Sequence, residues 1–196
     1  QRAAVARAER GELMPAGGSS LATVCAACLQ ASARDCELGC MQLPAVVEKA
    51  GFAWFKAANV GTSSYPFLTI GNANLLLAHG SEDQIERFVK PMLTGRFFGT
   101  MCLSETQAGS SLSDVKTRAI AQADGSYRLF GNKMWISAGE HDMAENIVHL
   151  VLAKIPEADG SLQLGVKGIS LFIVPTYLVN VGEPGDVGIG DGHDVG

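Results

Sequence analysis

Two short segments of the chain combine residue types that suit ligand binding. The first, residues 102–111 (CLSETQAGSS), follows an apolar run and is rich in small and hydroxyl-bearing residues. Ser104 and Ser110 offer hydroxyl groups, and Gly109 lets a ligand approach the backbone closely. A turn of this kind exposes backbone N–H groups, which can bind an anionic or carbonyl-rich ligand. The alternative is a polar loop that only connects two strands, and composition by itself favours that alternative.

The second segment, residues 131–139 (GNKMWISAG), places a large flat side chain near a hydroxyl group. Trp135 and Ser137 are two residues apart, shortly before Gly139. An indole could flank a planar ring while the hydroxyl group bonds to the edge of that ring. The alternative is a core tryptophan at the end of a strand. His141 follows as a candidate acid or base, and we interpret it as a structural or surface residue.

The elements that precede these segments are predicted to be helical. Apolar residues at helical spacing predict the buried face of a first helix, and they are Val47, Gly51, Trp54, Phe55 and Ala58. Pro66 is expected to open a second helix that ends at Gly80. Ser81 and Gln84 form the pattern of a capping box, so a third helix is expected to begin there and to kink or end at Pro91.

From Phe97 onward the pattern becomes that of strands. Apolar runs predict strands over 97–103, 115–123, 126–136, 146–153 and 168–175. Asp124 and Gly125 between the second and third runs predict a β-hairpin with a type I′ turn. Helices followed by strands indicate an α+β chain or two domains, because an α/β sheet would alternate the two kinds of element.

Composition excludes several classes of protein. Of 196 residues, 47% are hydrophobic and 18% are charged, which is compatible with a buried core. Fifteen basic and twenty acidic residues give a net charge of −5, which argues against a nucleic-acid partner. The longest apolar run is too short for a membrane span, and no secretory signal is visible. We therefore expect a cytoplasmic protein.

Four of the five cysteines lie close together, at Cys25, Cys28, Cys36 and Cys40. Their spacing raises the possibility of a small zinc-binding module, since four thiolates can close a tetrahedral site. The seven-residue loop between the two pairs and the lack of histidine partners argue against zinc. No metal ligand is therefore assigned.

The two segments together resemble motifs of the acyl-CoA dehydrogenase family. Residues 102–110 are similar to its hydroxyl- and glycine-containing motif, and residues 131–139 to its second, tryptophan-containing motif. The resemblance covers roughly residues 42–180. The continuation from Gly139 is similar to the larger bacterial members, including 3-methylmercaptopropionyl-CoA dehydrogenase-like proteins. Thr106 and Ser111 depart from the proline and aspartate that are usual in the family.

The resemblance implies an α+β fold in three parts. It implies an N-terminal α-helical bundle remnant over 1–96 and then an antiparallel β-barrel-like middle domain over 97–180. By composition, residues 17–40 are atypical of that bundle, and the glycine- and acid-rich tail over 181–196 is expected to be disordered. It also implies that the C-terminal helical domain is absent. The composition of 17–40 and 181–196 additionally suggests that one or both were read out of frame.

The resemblance also implies a function: α,β-desaturation of an acyl-CoA thioester, with hydride transfer to FAD. The implied cofactor-binding residues are Leu103, Ser104, Gly109, Ser110, Trp135 and Ser137, and Ser110 is also expected to lie near the substrate. The catalytic base belongs to the absent domain, so the chain alone is expected to be inactive. Electron-transfer flavoprotein or a similar acceptor, and a homo-oligomer at full length, are the implied partners. A non-catalytic interaction protein with the same fold is the alternative.

Overall fold

The computed structural model describes residues 44–181 and 187–189, which form two compact units. The first unit contains the described residues up to Thr100, together with Ser137–Val148 and those from Pro175 onward. The second contains Met101–Ile136 and His149–Val174. Both units combine separate stretches of sequence, whereas the predicted domains 1–96 and 97–180 are continuous. The cysteine cluster at 25–40 lies outside the described residues.

Two helices open the first unit: α1 (Ala45–Ala58) and α2 (Val60–His79). The predicted end of α2 at Gly80 is confirmed, but its predicted start at Pro66 is wrong. Asn59 caps the helix instead, because its side-chain oxygen accepts a hydrogen bond from Thr62 N at 2.9 Å. Pro66 lies inside α2 and is buried.

The predicted buried face of α1 is largely exposed. Trp54 is 79% exposed and Val47 51%, and Gly51 and Ala58 are exposed as well. Phe52, which the periodicity did not select, is buried and stacks on Phe67 of α2 with ring centroids 6.2 Å apart. Helical spacing therefore identified the helix correctly but not the face that packs.

The third helical segment is interrupted by a π-helical turn. Helix α3 (Glu82–Gln84) continues through the turn Ile85–Val89 into α4 (Lys90–Leu93). The predicted capping box is confirmed, since Gln84 N donates to Ser81 Oγ at 3.2 Å and Ser81 N donates to Gln84 Oε1 at 3.0 Å. Pro91 lacks the N–H of a regular helix. The wider turn precedes it, and α4 continues to Leu93, past the predicted end.

A five-stranded sheet contains β1 (Phe97–Cys102), β2 (Arg118–Ala121), β3 (Tyr127–Phe130), β4 (Asn146–Lys154) and β5 (Ile169–Pro175). The strand order is β1-β4-β2-β3, and β5 also pairs with β4. Strand β2 is antiparallel to β3 but parallel to β4. The prediction of an antiparallel, barrel-like domain is therefore wrong, because the described strands form a mixed sheet and not a closed barrel. The chain pattern revealed the local hairpin but not the pairing of strands distant in sequence.

The predicted hairpin between β2 and β3 is confirmed, with a different turn. Gly125 has a φ of 84°, whereas Asp124 is not among the described non-glycine residues with positive φ. Gln122 N donates to Ser126 O at 2.8 Å and Gly125 N to Gln122 O at 3.2 Å. This is the three-residue loop that ends in a left-handed glycine, so the type I′ prediction is wrong.

Strands β6 (Val179–Val181) and β7 (Val187–Ile189) pair antiparallel. Strand β7 lies within the segment 181–196, which the sequence predicts to be a disordered tail. Within the described part of the chain, no helix has the length and apolar character that a membrane crossing requires.

Candidate functional site

The first motif forms a tight turn directly after β1. Glu105 N donates to Ala108 O at 2.7 Å, and Ala108 N donates back to Glu105 O at 3.2 Å. Thr106 and Gln107 occupy the exposed tip. The departure at Thr106 therefore lies at a turn that two backbone hydrogen bonds close without proline.

Glu105 is the most enclosed polar residue of this motif, with 4% exposure. Its carboxylate accepts hydrogen bonds from Thr117 Oγ1 at 2.6 Å and from Thr117 N at 3.1 Å. It also accepts from Lys116 N at 2.9 Å and forms an ion pair with Lys133 Nζ at 2.8 Å. The Glu105 carboxylate thus joins the first motif, the approach to β2 and the second motif.

The surroundings of Glu105 stabilise its ionised form. Burial raises the pKa, but the Lys133 ammonium, the Thr117 hydroxyl and the two backbone N–H donors outweigh it. Together they lower the pKa of Glu105 from its ordinary 4.5 to about 2. A carboxylate with so low a pKa is a weak base, so Glu105 is suited to holding structure and not to proton abstraction.

Two further hydrogen bonds hold the second motif against the first. Lys133 Nζ donates to Leu103 O at 3.0 Å, and Met134 N donates to Ser104 O at 2.9 Å. The carbonyl oxygens of Leu103 and Ser104 are thereby used within the protein. What these two residues can offer a ligand is the backbone N–H groups and the Ser104 hydroxyl.

Trp135 has an unusual backbone and an exposed side chain. Its φ is 57°, in the left-handed region that bulky residues rarely adopt, and its side chain is 74% exposed. The alternative of a core tryptophan is therefore wrong. The prediction that the strand extends to residue 136 is also wrong, because β3 ends at Phe130 and residues 132–136 have no regular structure. A strained, exposed aromatic residue is typical of a binding site.

The remaining predicted site residues are on the surface. Gly109 and Ser110 are exposed, and nothing lies within 4 Å of where a Cβ of residue 109 would be. Ser137 is also exposed and opens the segment Ser137–Val148 of the first unit. The structure thus brings Leu103, Ser104 and the backbone next to Trp135 together, and it leaves Gly109, Ser110 and Ser137 accessible.

Sequence reasoning missed three residues that support this arrangement: Lys133, Thr117 and Gly131. Gly131 has a φ of 155°, and a Cβ there would lie 2.4 Å from Thr117 Oγ1. The only signal for Lys133 was its place inside the second motif, and no local pattern connects Thr117 to Glu105. These contacts join residues that are 12 and 28 positions apart in sequence.

The candidate acid or base His141 lies in the first unit. His141 is half-buried in the first unit, where its ring packs edge-on against Tyr65 and Phe98 with centroids 5.3 and 5.0 Å apart. Its Nδ1 accepts a hydrogen bond from Met143 N at 3.3 Å. Burial lowers the pKa of His149. This geometry agrees with the structural interpretation of His141.

Comparison with known proteins identifies the family. Residues 100–191 match the acyl-CoA dehydrogenase middle domain. The chain is 43% identical over 153 residues to 3-methylmercaptopropionyl-CoA dehydrogenase of Ruegeria pomeroyi, and the alignment covers 78% of this chain and 25% of that protein. This chain belongs to the acyl-CoA dehydrogenase family.

Two more acyl-CoA dehydrogenases show the extent of the similarity. A broad-specificity linear acyl-CoA dehydrogenase of Mycobacterium tuberculosis is 39% identical over 155 residues, covering 78% of this chain and 24% of that one. The solved structure of an acyl-CoA dehydrogenase complexed with FAD from Bacillus anthracis has a TM-score of 0.63 at 26% identity, covering 83% of this chain and 27% of that one. The chain thus spans about a quarter of the length of these relatives.

The family match extends to residue 191, into the segment 181–196. It therefore gives no support to the hypothesis that residues 181–191 were read out of frame. The segment 17–40 lies outside both the match and the described residues.

Proposed function

We propose that this chain is part of a flavin-dependent acyl-CoA dehydrogenase, an oxidoreductase that introduces an α,β double bond into an acyl-CoA thioester. The observation that carries the proposal is the exposed, left-handed Trp135, whose preceding residues are bonded to the backbone at Leu103 and Ser104. A flat aromatic face beside hydrogen-bond donors suits a planar, carbonyl-rich ring. FAD has such a ring.

The exposed residues fit the different parts of FAD. Trp135 would flank the isoalloxazine, while the Leu103 and Ser104 N–H groups and the Ser104 hydroxyl would donate to its pyrimidine edge. The open space at Gly109 would admit the diphosphate near the Ser110 hydroxyl. The Ser137 hydroxyl would bond near N5. When bound, FAD supplies the acceptor for the substrate hydride.

The chain's own residues would bind and orient the substrate, and none of them is proposed as the base. Ser110 would lie near the thioester. Glu105 is unsuited to removing the α-proton, because it is buried, paired with Lys133 and has a pKa of about 2. The resemblance to the acyl-CoA dehydrogenase family, and not the properties of Glu105, implies that the base lies in a C-terminal helical domain outside the part of the relatives that this chain matches.

The proposal also includes partners. Family membership supports electron transfer from the reduced flavin to an electron-transfer flavoprotein or a similar acceptor. It also supports a homo-oligomer for the longer protein. The proposal names no particular acyl chain for the substrate, because the names of the relatives above refer to different thioesters.

The test compares this chain with the product of its uninterrupted gene, read downstream of codon 196. We expect the longer protein to bind FAD and to reduce a dye acceptor with acyl-CoA, and the 196-residue chain to do neither. Turnover by the 196-residue chain would contradict the assignment of the base. FAD binding without flavin reduction by any acyl-CoA in the longer protein would favour the non-catalytic alternative.

A further inference from the structure

A buried ion pair connects the two motifs that the proposed flavin site uses. Lys133 Nζ lies 2.8 Å from Glu105 Oε1, and the side chains are 10% and 4% exposed. The same ammonium donates to Leu103 O at 3.0 Å. A single lysine therefore contacts both the carboxylate and the backbone of the first motif, two residues before Trp135.

We propose that Lys133 is a positioning residue: paired with Glu105, it fixes the backbone of residues 133–135 against residues 103–105 and so sets where Trp135 meets the flavin. This inference rests on the proposed flavin site. It assigns a role to two residues for which the sequence motifs suggested none.

Trp135 depends on its backbone for its position, because its own side chain has little packing. It is 74% exposed and its φ of 57° is strained, so the residue keeps this conformation only where neighbouring contacts impose it. On its N-terminal side those contacts are the Met134 N–H bond to Ser104 O, at 2.9 Å, and the two bonds of the Lys133 ammonium. Loss of Lys133 removes two of these three contacts.

The Glu105 carboxylate can hold Lys133 in place, because contacts other than the lysine fix its own position. Thr117 contributes both its hydroxyl and its N–H, and Lys116 contributes its N–H. The second motif is also held at its beginning, where Gly131 packs against Thr117 too closely to admit a Cβ. Residues 131–134 are thus held at their start by Thr117 and at their end by the first motif. Trp135 follows this segment directly.

A purely structural role is the competing explanation, because breaking any buried polar contact destabilises a protein. Lys154 provides the matched control. It lies in the same unit, is 4% exposed, and its Nζ donates to Ser113 O at 2.8 Å. Lys133→Met and Lys154→Met both remove a buried ammonium, but only the first removes contacts next to Trp135.

The first measurement uses the flavin-loaded longer protein. We expect Lys133→Met to weaken FAD binding by about 10-fold or more and to shift the flavin absorption bands, as for other residues that orient a ligand contact. Lys154→Met should leave the FAD dissociation constant within about twofold and the bands unchanged. Equal effects of the two variants on the flavin would overturn the proposal.

The second measurement needs no flavin and separates this proposal from the proposed function. In the 196-residue chain carrying Trp54→Phe, Trp135 is the only tryptophan, so its fluorescence anisotropy reports its mobility. We expect Lys133→Met to lower that anisotropy and Lys154→Met to leave it unchanged. Failure of the parent protein to bind FAD would contradict the flavin site, while unchanged anisotropy in Lys133→Met would contradict the positioning role. Glu105→Gln, which keeps the side-chain shape, replaces Lys133→Met if that variant does not fold, with the same expected directions.

Discussion

Gly99 in β1 packs directly against Asn72 in α2, and a Cβ on residue 99 would lie 2.6 Å from Asn72 Cβ. This close approach lets the Asn72 amide reach two carbonyl groups. Asn72 Nδ2 donates to Val148 O at 2.8 Å and to Thr100 O at 3.4 Å. Within the first unit, one buried side chain therefore joins a helix to β1 and β4.

Gly99→Ala should destabilise the protein, because the new methyl group overlaps the buried Asn72 side chain. We expect a loss of about 1–3 kcal/mol in the free energy of unfolding, the usual cost of overpacking. Gly71→Ala is the control, since it lies next to Asn72 in α2 with nothing within 4 Å of its Cβ position. Denaturant unfolding of the two variants measures the difference, and equal stability would refute the packing argument.

The low pKa of Glu105 makes stability depend on pH in the acid range. Because the folded-state pKa, about 2, is below its ordinary 4.5, the unfolded chain binds this proton more readily. The stabilisation is complete above pH 4.5 and is lost as the pH falls from there towards 2. The difference corresponds to about 3 kcal/mol.

Glu105→Gln isolates this contribution to the pH dependence. The variant should be less stable than the parent at pH 7, and its unfolding free energy should fall less between pH 5 and 2. Asp124 and Asp159 have lowered pKa values and are present in both proteins, so their effects cancel in the comparison. Parallel curves for parent and variant, from urea unfolding at each pH, would show that Glu105 is not the group responsible.

The backbone of Trp135 allows a prediction that separates folding from binding. At a φ of 57°, glycine fits without strain whereas alanine does not, so Trp135→Gly should be more stable than Trp135→Ala by about 1 kcal/mol. Both variants should lose FAD affinity in the longer protein, because both lack the indole. Denaturant unfolding and FAD titration measure the two effects. Higher stability of the alanine variant would mean that the left-handed conformation is not imposed at this position.

Local chemistry allowed much of the fold to be predicted. The Ser81 and Gln84 capping box, the helix end at Gly80 and the β2–β3 hairpin all rest on contacts between near neighbours. One local signal was missed: Asn59 caps α2 through Thr62 N, three residues further on, while Pro66 lies buried inside the helix. The parallel pairing of β2 with β4 joins strands that are far apart in sequence, and no turn residue indicates it.

In the candidate site, too, the local chemistry could be predicted from the sequence and the contacts between distant residues could not. The residue types of the two motifs pointed to Ser104, Gly109 and Trp135, because hydroxyl, glycine and indole groups have recognisable chemistry. The support beneath them was not visible, since the Glu105–Lys133 pair spans 28 positions and each member alone resembles an ordinary surface charge. The two charges form a structural ion pair because they are enclosed together, and which residues are enclosed depends on the complete fold.

Ser137→Ala tests the proposed flavin contact most directly. Ser137 is exposed two residues after Trp135, so its hydroxyl is available to a ligand and contributes little to packing. In the longer protein, losing one hydrogen bond to a charge that develops in the reaction should slow flavin reduction by about 10- to 100-fold. Ser126→Ala removes an exposed hydroxyl from the β2–β3 turn and should leave the rate unchanged. Stopped-flow absorbance at the oxidised flavin band measures both variants, and a parental rate in Ser137→Ala would remove Ser137 from the site. Unfolding free energies of Ser137→Ala and the parent should agree within about 0.5 kcal/mol, since an exposed serine distant from core contacts has little effect on stability.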